Sequence, residues 1–486
     1  MLLVGKWIAI RDELCKILIF ASIIIGYLKY YIFAPFMEIA ASHNDLKIQV
    51  TNKQILSIAL PITLAILIPQ VNMLTNSMFL GRLGKEALGN AGITGVFYLI
   101  FAVAGNGLNN ALQTVFSKYA GSGNTNAFKI ILAQGIRICL QLALICILFT
   151  WLVAPFIMKA VADPAAYPQE MSFLRIRIIG LPFLYLFQMG NAFLVASLNS
   201  RYLMIGFICE ALVNIVFDYL LIFGHFGFPE MGFNGAAVAS VIAEFTGMIV
   251  IALVLIITGL KKKYQLLQHL QYEKNISKQI LRVSLPLVFQ YLISVTTWLI
   301  FFLLIEARGS VAKAISNTMR NVFGLVGVFV WAFASTSNTM VSNLMGQKRE
   351  DKVLEAITSI TYWSFSLCLV MCALLNIFPE IFFRLFGQGD EFVAEAIPVV
   401  RIVSLGLVFM SIANIWLNGV TGTGKTRINL VIEIIAITLY LLYTWYFMKL
   451  HYVSLAMAWS NEFIYWTAIF IMSFIFLRSG RWKTKE

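Results

Sequence analysis

The stretch Ile208-Cys-Glu-Ala-Leu-Val-Asn-Ile-Val-Phe-Asp-Tyr-Leu-Leu-Ile-Phe-Gly224 decides how this chain is read. It is apolar almost throughout, but Glu210, Asn214 and Asp218 recur at i, i+4 and i+8. At 3.6 residues per turn the three share a sector of roughly 80° over about 12 Å of helix. If the helix spans a bilayer, Asp218 is an ionisable group in hydrocarbon. Such a group is costly there and usually faces a cavity, a partner or an ion path. The rest of the chain reads as two halves built around a cavity that this stripe faces.

Composition supports the membrane reading. Of 486 residues, 60% are hydrophobic and only 12% charged, against about 25% charged in soluble domains. Apolar runs long enough to cross about 30 Å recur along nearly the whole chain. The net charge of +13 does not point to nucleic acid, because the basic residues crowd short loops between spans. That is the positive-inside pattern. Lys261, Lys262, Lys263, Lys274 and Lys278 share one loop, and Lys348, Arg349 and Lys352 another. Arg478, Arg481, Lys483 and Lys485 crowd the C-terminus, which is therefore expected in the cytoplasm. The six cysteines form no disulfide framework. Cys368 and Cys372, at i, i+4, read as small buried hydrophobes. His43, His225, His269 and His451 fall in loops or flanks, so no metal cluster is expected.

Working outward, the chain repeats itself. Lys53-Gln-Ile-Leu-Ser-Ile-Ala-Leu-Pro61 is echoed 225 residues later by Lys278-Gln-Ile-Leu-Arg-Val-Ser-Leu-Pro286. The same offset pairs Gly84 with Gly309, Gln113 with Asn338, Ser117 with Ser342 and Gly121 with Gly346. An offset of 226 pairs Arg175-Ile176 with Arg401-Ile402 and Ser200-Arg201 with Thr426-Arg427. The chain is an internal duplication. Six apolar segments per half is an even number, so both halves enter the membrane from the same side as parallel repeats. The expected fold is all-α: twelve transmembrane helices in two pseudo-symmetric six-helix lobes. The N-lobe runs over 51–260 and the C-lobe over 279–478. Residues 261–278 form a cytoplasmic linker, 479–486 a basic cytoplasmic tail, and 1–50 an N-terminal extension.

Several residues carry candidate chemistry. A proton or a cation at Asp218 changes the charge of the cavity, and Asn214 can offer a carbonyl oxygen to either. The structural alternative is a hydrogen-bonded pair between helices. Glu210, near the cytoplasmic end, is too far along the axis to share one ion with Asp218. Glu244 and Glu462 are further intramembrane acids, each in the first part of the last span of its half, and each reads either as a cavity-lining group or as a structural contact. The mirror of the Asp218 stretch keeps Glu433, but no register places an acid opposite Asp218. Coupling chemistry is therefore expected in the first half. Gly419-Val-Thr-Gly-Thr-Gly-Lys-Thr426 matches the GxxxxGK[ST] phosphate-loop pattern. It lies between two membrane segments with no α/β domain around it. Gly419, Gly424, Lys425 and Thr426 are thus expected to form a tight basic turn, not an ATP site.

Taken together, these residues resemble the multidrug and toxic compound extrusion (MATE) transporters. Asn214 to Ala239 looks like the family's fifth helix, outer loop and the start of the sixth. Phe79-Leu-Gly-Arg-Leu-Gly84 looks like the end of the first helix, and Gly422-Thr-Gly-Lys-Thr426 like the turn before the eleventh. The resemblance runs from about Lys53 to Trp482. It implies a V-shaped central cavity between the lobes and export of small amphipathic, often cationic compounds in exchange for Na⁺ or H⁺. It also implies a site on the first and fifth helices, matched here by Asn214 and Asp218. The first-helix aspartate of that site falls on Asn76, which removes one negative charge and leaves the driving ion open. Acids that other members carry on the seventh and tenth helices correspond to Ser294 and to Ser411 or Ile412, so a C-lobe acid site is not expected.

The reading is of an ion-coupled antiporter, not an enzyme, in the plasma (bacterial inner) membrane. It needs no cofactor, no nucleic acid and no metal beyond a Na⁺ at Asp218 and Asn214, and it is expected to be a monomer. A lipid-linked glycan flippase of related fold is the first rival, although the obvious basic residues lie at loop ends, apart from Arg320. An ATP-driven protein using 419–426 is a remote second.

Overall fold

The computed structural model describes residues 46–161, 163–380, 383, 390–451 and 453–483. The extension expected over 1–50 therefore lies outside the described residues as far as residue 45, as does the end of the basic tail from residue 484.

Twelve helices among the described residues are long and apolar enough to cross a membrane. They are α1 (Asn52–Arg82), α2 (Gly89–Gly121), α3 (Ala127–Leu152), α4 (Tyr167–Ala196), α5 (Ser200–Phe223), α6 (Phe233–Ile257), α7 (Lys274–Ile305), α8 (Ser310–Gly346), α9 (Glu350–Ile377), α10 (Phe392–Gly422), α11 (Thr426–Lys449) and α12 (Leu455–Arg478). No strand occurs among the described residues. Large apolar side chains such as Leu144, Leu152, Leu212, Leu303 and Ile475 remain exposed on the outside of the bundle. In hydrocarbon that exposure carries no hydrophobic penalty.

The duplication is visible in the backbone. Thr51 caps α1 by accepting a hydrogen bond from the Gln54 amide at 3.2 Å, as its Thr-x-x-Gln pattern suggests. The helical stretch leading into α2 begins after Gly84 at φ 117°, and α8 after Gly309 at φ 108°. This is a backbone region that L side chains rarely adopt, and the two glycines are paired in the repeat. α7 begins at Lys274, inside the segment read as linker. The remaining loop is tied down: Tyr264 packs against Phe128 and Phe193, and Lys129 Nζ donates to Gln265 Oε1 at 2.8 Å.

Within the first half α5 packs against α1 and α6, and α4 against α2 and α6. In the second half α11 packs against α7 and α12, and α10 against α8 and α12. The halves meet where α2 packs on α7 and α8, and α1 on α8. The α2–α8 seam is polar. Gln113 Nε2 donates to Thr339 Oγ1 at 2.6 Å, Thr114 Oγ1 donates to Asn338 Oδ1 at 2.8 Å, and Asn338 Nδ2 donates to Asn110 Oδ1 at 2.6 Å. Where the seam is tightest, the paired Gly121 and Gly346 let each backbone approach the other. A Cβ on Gly121 would sit 1.9 Å from Asn343 O, and one on Gly346 would sit 1.9 Å from Lys118 O. The residues before α1 join the same end, with the Ile48 amide donating to Asn343 Oδ1 at 3.0 Å.

Candidate functional site

The stripe on α5 divides when the neighbours are placed. Asn214 and Asp218 face α1, whereas Glu210 turns toward α6, where a Cβ on Gly247 would lie 3.3 Å from its Oε2. Asp218 is fully buried and Asn214 nearly so. Asn214 Nδ2 donates to Asp218 Oδ2 at 3.1 Å, and its own Oδ1 accepts from Asn72 Nδ2 at 2.8 Å and Asn76 Nδ2 at 3.3 Å. Asn76 therefore belongs to the cluster, as expected. Asn72, one turn earlier on α1, was not singled out. Its signal was available: two asparagines at i, i+4 in an apolar helix.

The partners leave three buried oxygens unpaired: Asp218 Oδ1, Asn72 Oδ1 and Asn76 Oδ1. A buried oxygen without a donor is costly. Three together, one of them from a carboxylate, make an all-oxygen set of the kind hard cations take. The same oxygens also suit a proton carried on Asp218.

The other acids read from the sequence do not join this cluster. Glu244 on α6 is held by Arg177 of α4 in a two-pronged ion pair, with Nη1 to Oε2 at 2.8 Å and Nη2 to Oε1 at 2.7 Å. Tyr98 on α2 adds its hydroxyl to Oε1 at 2.8 Å, and the guanidinium carbon lies 3.8 Å from the Tyr98 ring centre. Gly180 makes room for the carboxylate, since a Cβ there would meet Glu244 Oε2 at 2.0 Å. A carboxylate with a guanidinium fixed on it is a structural joint of α2, α4 and α6. Glu462 is buried and accepts from Trp466 Nε1 at 2.9 Å, one turn along its own helix.

The second half differs from the expectation. Glu433 on α11 reaches α7 and α12: its Oε1 accepts from Ser294 Oγ at 2.5 Å and from the Tyr465 hydroxyl, and its Oε2 accepts from Gln290 Nε2 at 3.2 Å. The α7 position where no acid stands is thus occupied by a serine that donates to one. The carboxylate comes from a different helix, which matching along α7 and α10 cannot reveal.

The glycine-rich loop is a helix end. Thr423 N donates to Gly419 O at 3.2 Å, Gly424 N to Thr421 O at 2.8 Å, and Lys425 N to Thr423 Oγ1 at 3.4 Å, so these amides are spent inside the turn. Gly419 and Gly422 lie under Ile357 and Val341, where a Cβ would come within 2.6 Å of either side chain. Gly424 turns the chain at φ 78°, and Thr426 is buried.

Comparison with known proteins adds the following. The family model described as MatE matches residues 61–220 and 286–446, one match in each half. A protein from Thermotoga maritima named as a probable multidrug resistance protein NorM is 23% identical over 441 residues, covering 89% of this chain and 93% of its own length. A protein of the same name from Listeria monocytogenes serotype 4b is 27% identical over 308 residues, covering 61% of this chain and 66% of its own. A solved structure described as the outward-facing conformation of a MATE-family multidrug resistance transporter superposes with a TM-score of 0.79. It shares 19% identity and covers 87% of this chain and 94% of that one. A transporter of the MOP superfamily from Pyrococcus furiosus, described as having a binding pocket of reversed polarity, gives a TM-score of 0.78. Its identity is 16%, with 88% of this chain and 94% of that chain covered.

Proposed function

Since the chain belongs to the MatE family of multi-pass membrane transporters, we propose that it is an antiporter exporting small amphipathic, often cationic compounds in exchange for Na⁺ or H⁺. The coupling ion binds at the Asn72, Asn76, Asn214 and Asp218 cluster. The observation that carries this is the set of three unpaired buried oxygens around a single carboxylate between α1 and α5. Arrival of the cation neutralises Asp218 and supplies the missing partner to all three oxygens, which draws α1 and α5 together. The state favoured by that contact is the one that has released substrate, and loss of the cation reverses the preference. The halves exchange access by moving against one another along the α2–α8 seam. Localisation in the plasma (bacterial inner) membrane with a cytoplasmic C-terminus is part of the same proposal, supported by the basic loops.

The test is efflux of a fluorescent cationic dye from inverted vesicles, wild type against Asp218→Asn, under a Na⁺ gradient and, separately, a pH gradient. Wild-type transport under one gradient, reduced roughly 100-fold by the substitution as the loss of a charged contact worth about 2.7 kcal/mol would give, supports exporter and site together and names the ion. Wild type and variant both inert under either gradient would sink dye export and bring lipid flipping forward.

A further inference from the structure

Glu433 is 1% exposed, and no lysine, arginine or histidine is hydrogen-bonded or ion-paired to it among the described residues. Its charge is met only by neutral donors: Ser294 and Gln290 from α7 and Tyr465 from α12. A carboxylate offers about four lone-pair sites, and the three donors leave one of them open. Beside it, Gln290 Oε1 is buried with no partner, on a residue only 7% exposed. The amide that binds Glu433 through its nitrogen thus presents an unsatisfied carbonyl oxygen next to the open position. Ser294 Oγ and the Tyr465 hydroxyl complete a set made only of oxygen.

Glu244 shows what a fixed counter-charge looks like in this protein, and Glu433 has none. We infer that Glu433, Gln290, Ser294 and Tyr465 form a second exchangeable monovalent-cation site, in the C-terminal half and separate from the Asp218 cluster. Its ligand is a hard cation, Na⁺ or a proton, bound between the Glu433 carboxylate and the Gln290 carbonyl. Ser294 and Tyr465 are only partly buried. The next residue on α7, Tyr291, accepts from Asn110 Nδ2 at 3.2 Å across the seam between the halves, so the site adjoins the surface along which the halves meet.

The experiment uses purified full-length protein carrying Asp218→Asn, so that any cation taken up does not belong to the first cluster. Binding of radioactive Na⁺ is measured alongside the infrared carboxylic-acid band across a pH titration, with and without Glu433→Gln. One Na⁺ per chain that disappears with Glu433→Gln supports the site as a Na⁺ site. A titrating carboxyl band that disappears with Glu433→Gln, without Na⁺ binding, supports it as a proton site. Neither signal depending on Glu433 overturns the inference and leaves Glu433 a structural joint. Gln290→Leu guards against misfolding, because it keeps the carboxylate and removes only the unpaired carbonyl. Weakening of Na⁺ binding, or a shift of the carboxyl titration, by roughly tenfold or one pH unit is expected from it. No change would overturn the part assigned to Gln290.

Discussion

Asp218 and Glu433 are both buried carboxylates on the fifth helix of their half, facing the first helix of that half. Their surroundings are built differently. Around Asp218, α1 contributes two asparagines whose amides are directed at Asn214, and one carboxylate oxygen stays unpaired. Around Glu433, α7 and α12 contribute donors to both oxygens. The two lie at different depths as well: the 225-residue offset sets Ser294 opposite Pro69, about one turn of helix before Asn72. Glu244 is the third arrangement, neutralised by Arg177. The difference teaches that burial alone does not mark an ion site in this fold. What matters is whether the protein supplies the counter-charge.

The largest expected effect breaks that comparison at its fixed member. Arg177→Met leaves Glu244 buried and unpaired, which costs roughly 3–5 kcal/mol. This should appear as a markedly lower thermal midpoint in detergent. Adding Glu244→Gln should restore part of the loss, because the stranded charge is gone. A midpoint unchanged by Arg177→Met alone would mean that Arg177 does not compensate Glu244, and the division into fixed and exchangeable carboxylates would fail.

A smaller effect sharpens the Asp218 side. Asn72→Leu removes the shorter donor to Asn214 together with one unpaired oxygen, and leaves Asn76 in place. The coupling-ion concentration for half-maximal efflux should rise roughly tenfold, about 1.4 kcal/mol, with the maximal rate kept. An unchanged half-saturation would confine the site to Asn214, Asp218 and Asn76.

The same contrast shows which features were legible in the sequence. The twelve spans and the duplication were, because hydropathy and a nearly constant offset are properties of one strand of text. Asn214, Asp218 and Asn76 were legible because local spacing places them. Arg177, Gln290, Ser294 and Tyr465 were not, since each acquires its role from an acid on another helix: 67 residues away for Arg177, 143 for Gln290, 139 for Ser294 and 32 for Tyr465. The stripe on α5 was over-read in one respect. Glu210 shares the sector of Asn214 and Asp218, yet α6, not α1, stands beside it, because a sector of 80° is wide enough to face two neighbours.

The smallest expected effect concerns a second place where the halves differ, the turn between the fourth and fifth helix of each. In the first half it reads Ser197-Leu-Asn-Ser-Arg201, and in the second it reads as a phosphate loop. The geometry explains the letters without a nucleotide. Gly419 and Gly422 are small because α9 and α8 press on α10 there, Gly424 because the chain turns left-handed, and Thr426 is buried. Lys425 alone is exposed, on the side that the basic loops assign to the cytoplasm. Lys425→Ala should therefore change stability by no more than about 0.5 kcal/mol and leave gradient-driven efflux unaltered. The purified wild type should hydrolyse no ATP. ATP hydrolysis that vanishes with Lys425→Ala would show that this turn carries chemistry its counterpart lacks. Silence in both assays would leave the carboxylates as the place where the two halves have diverged in function.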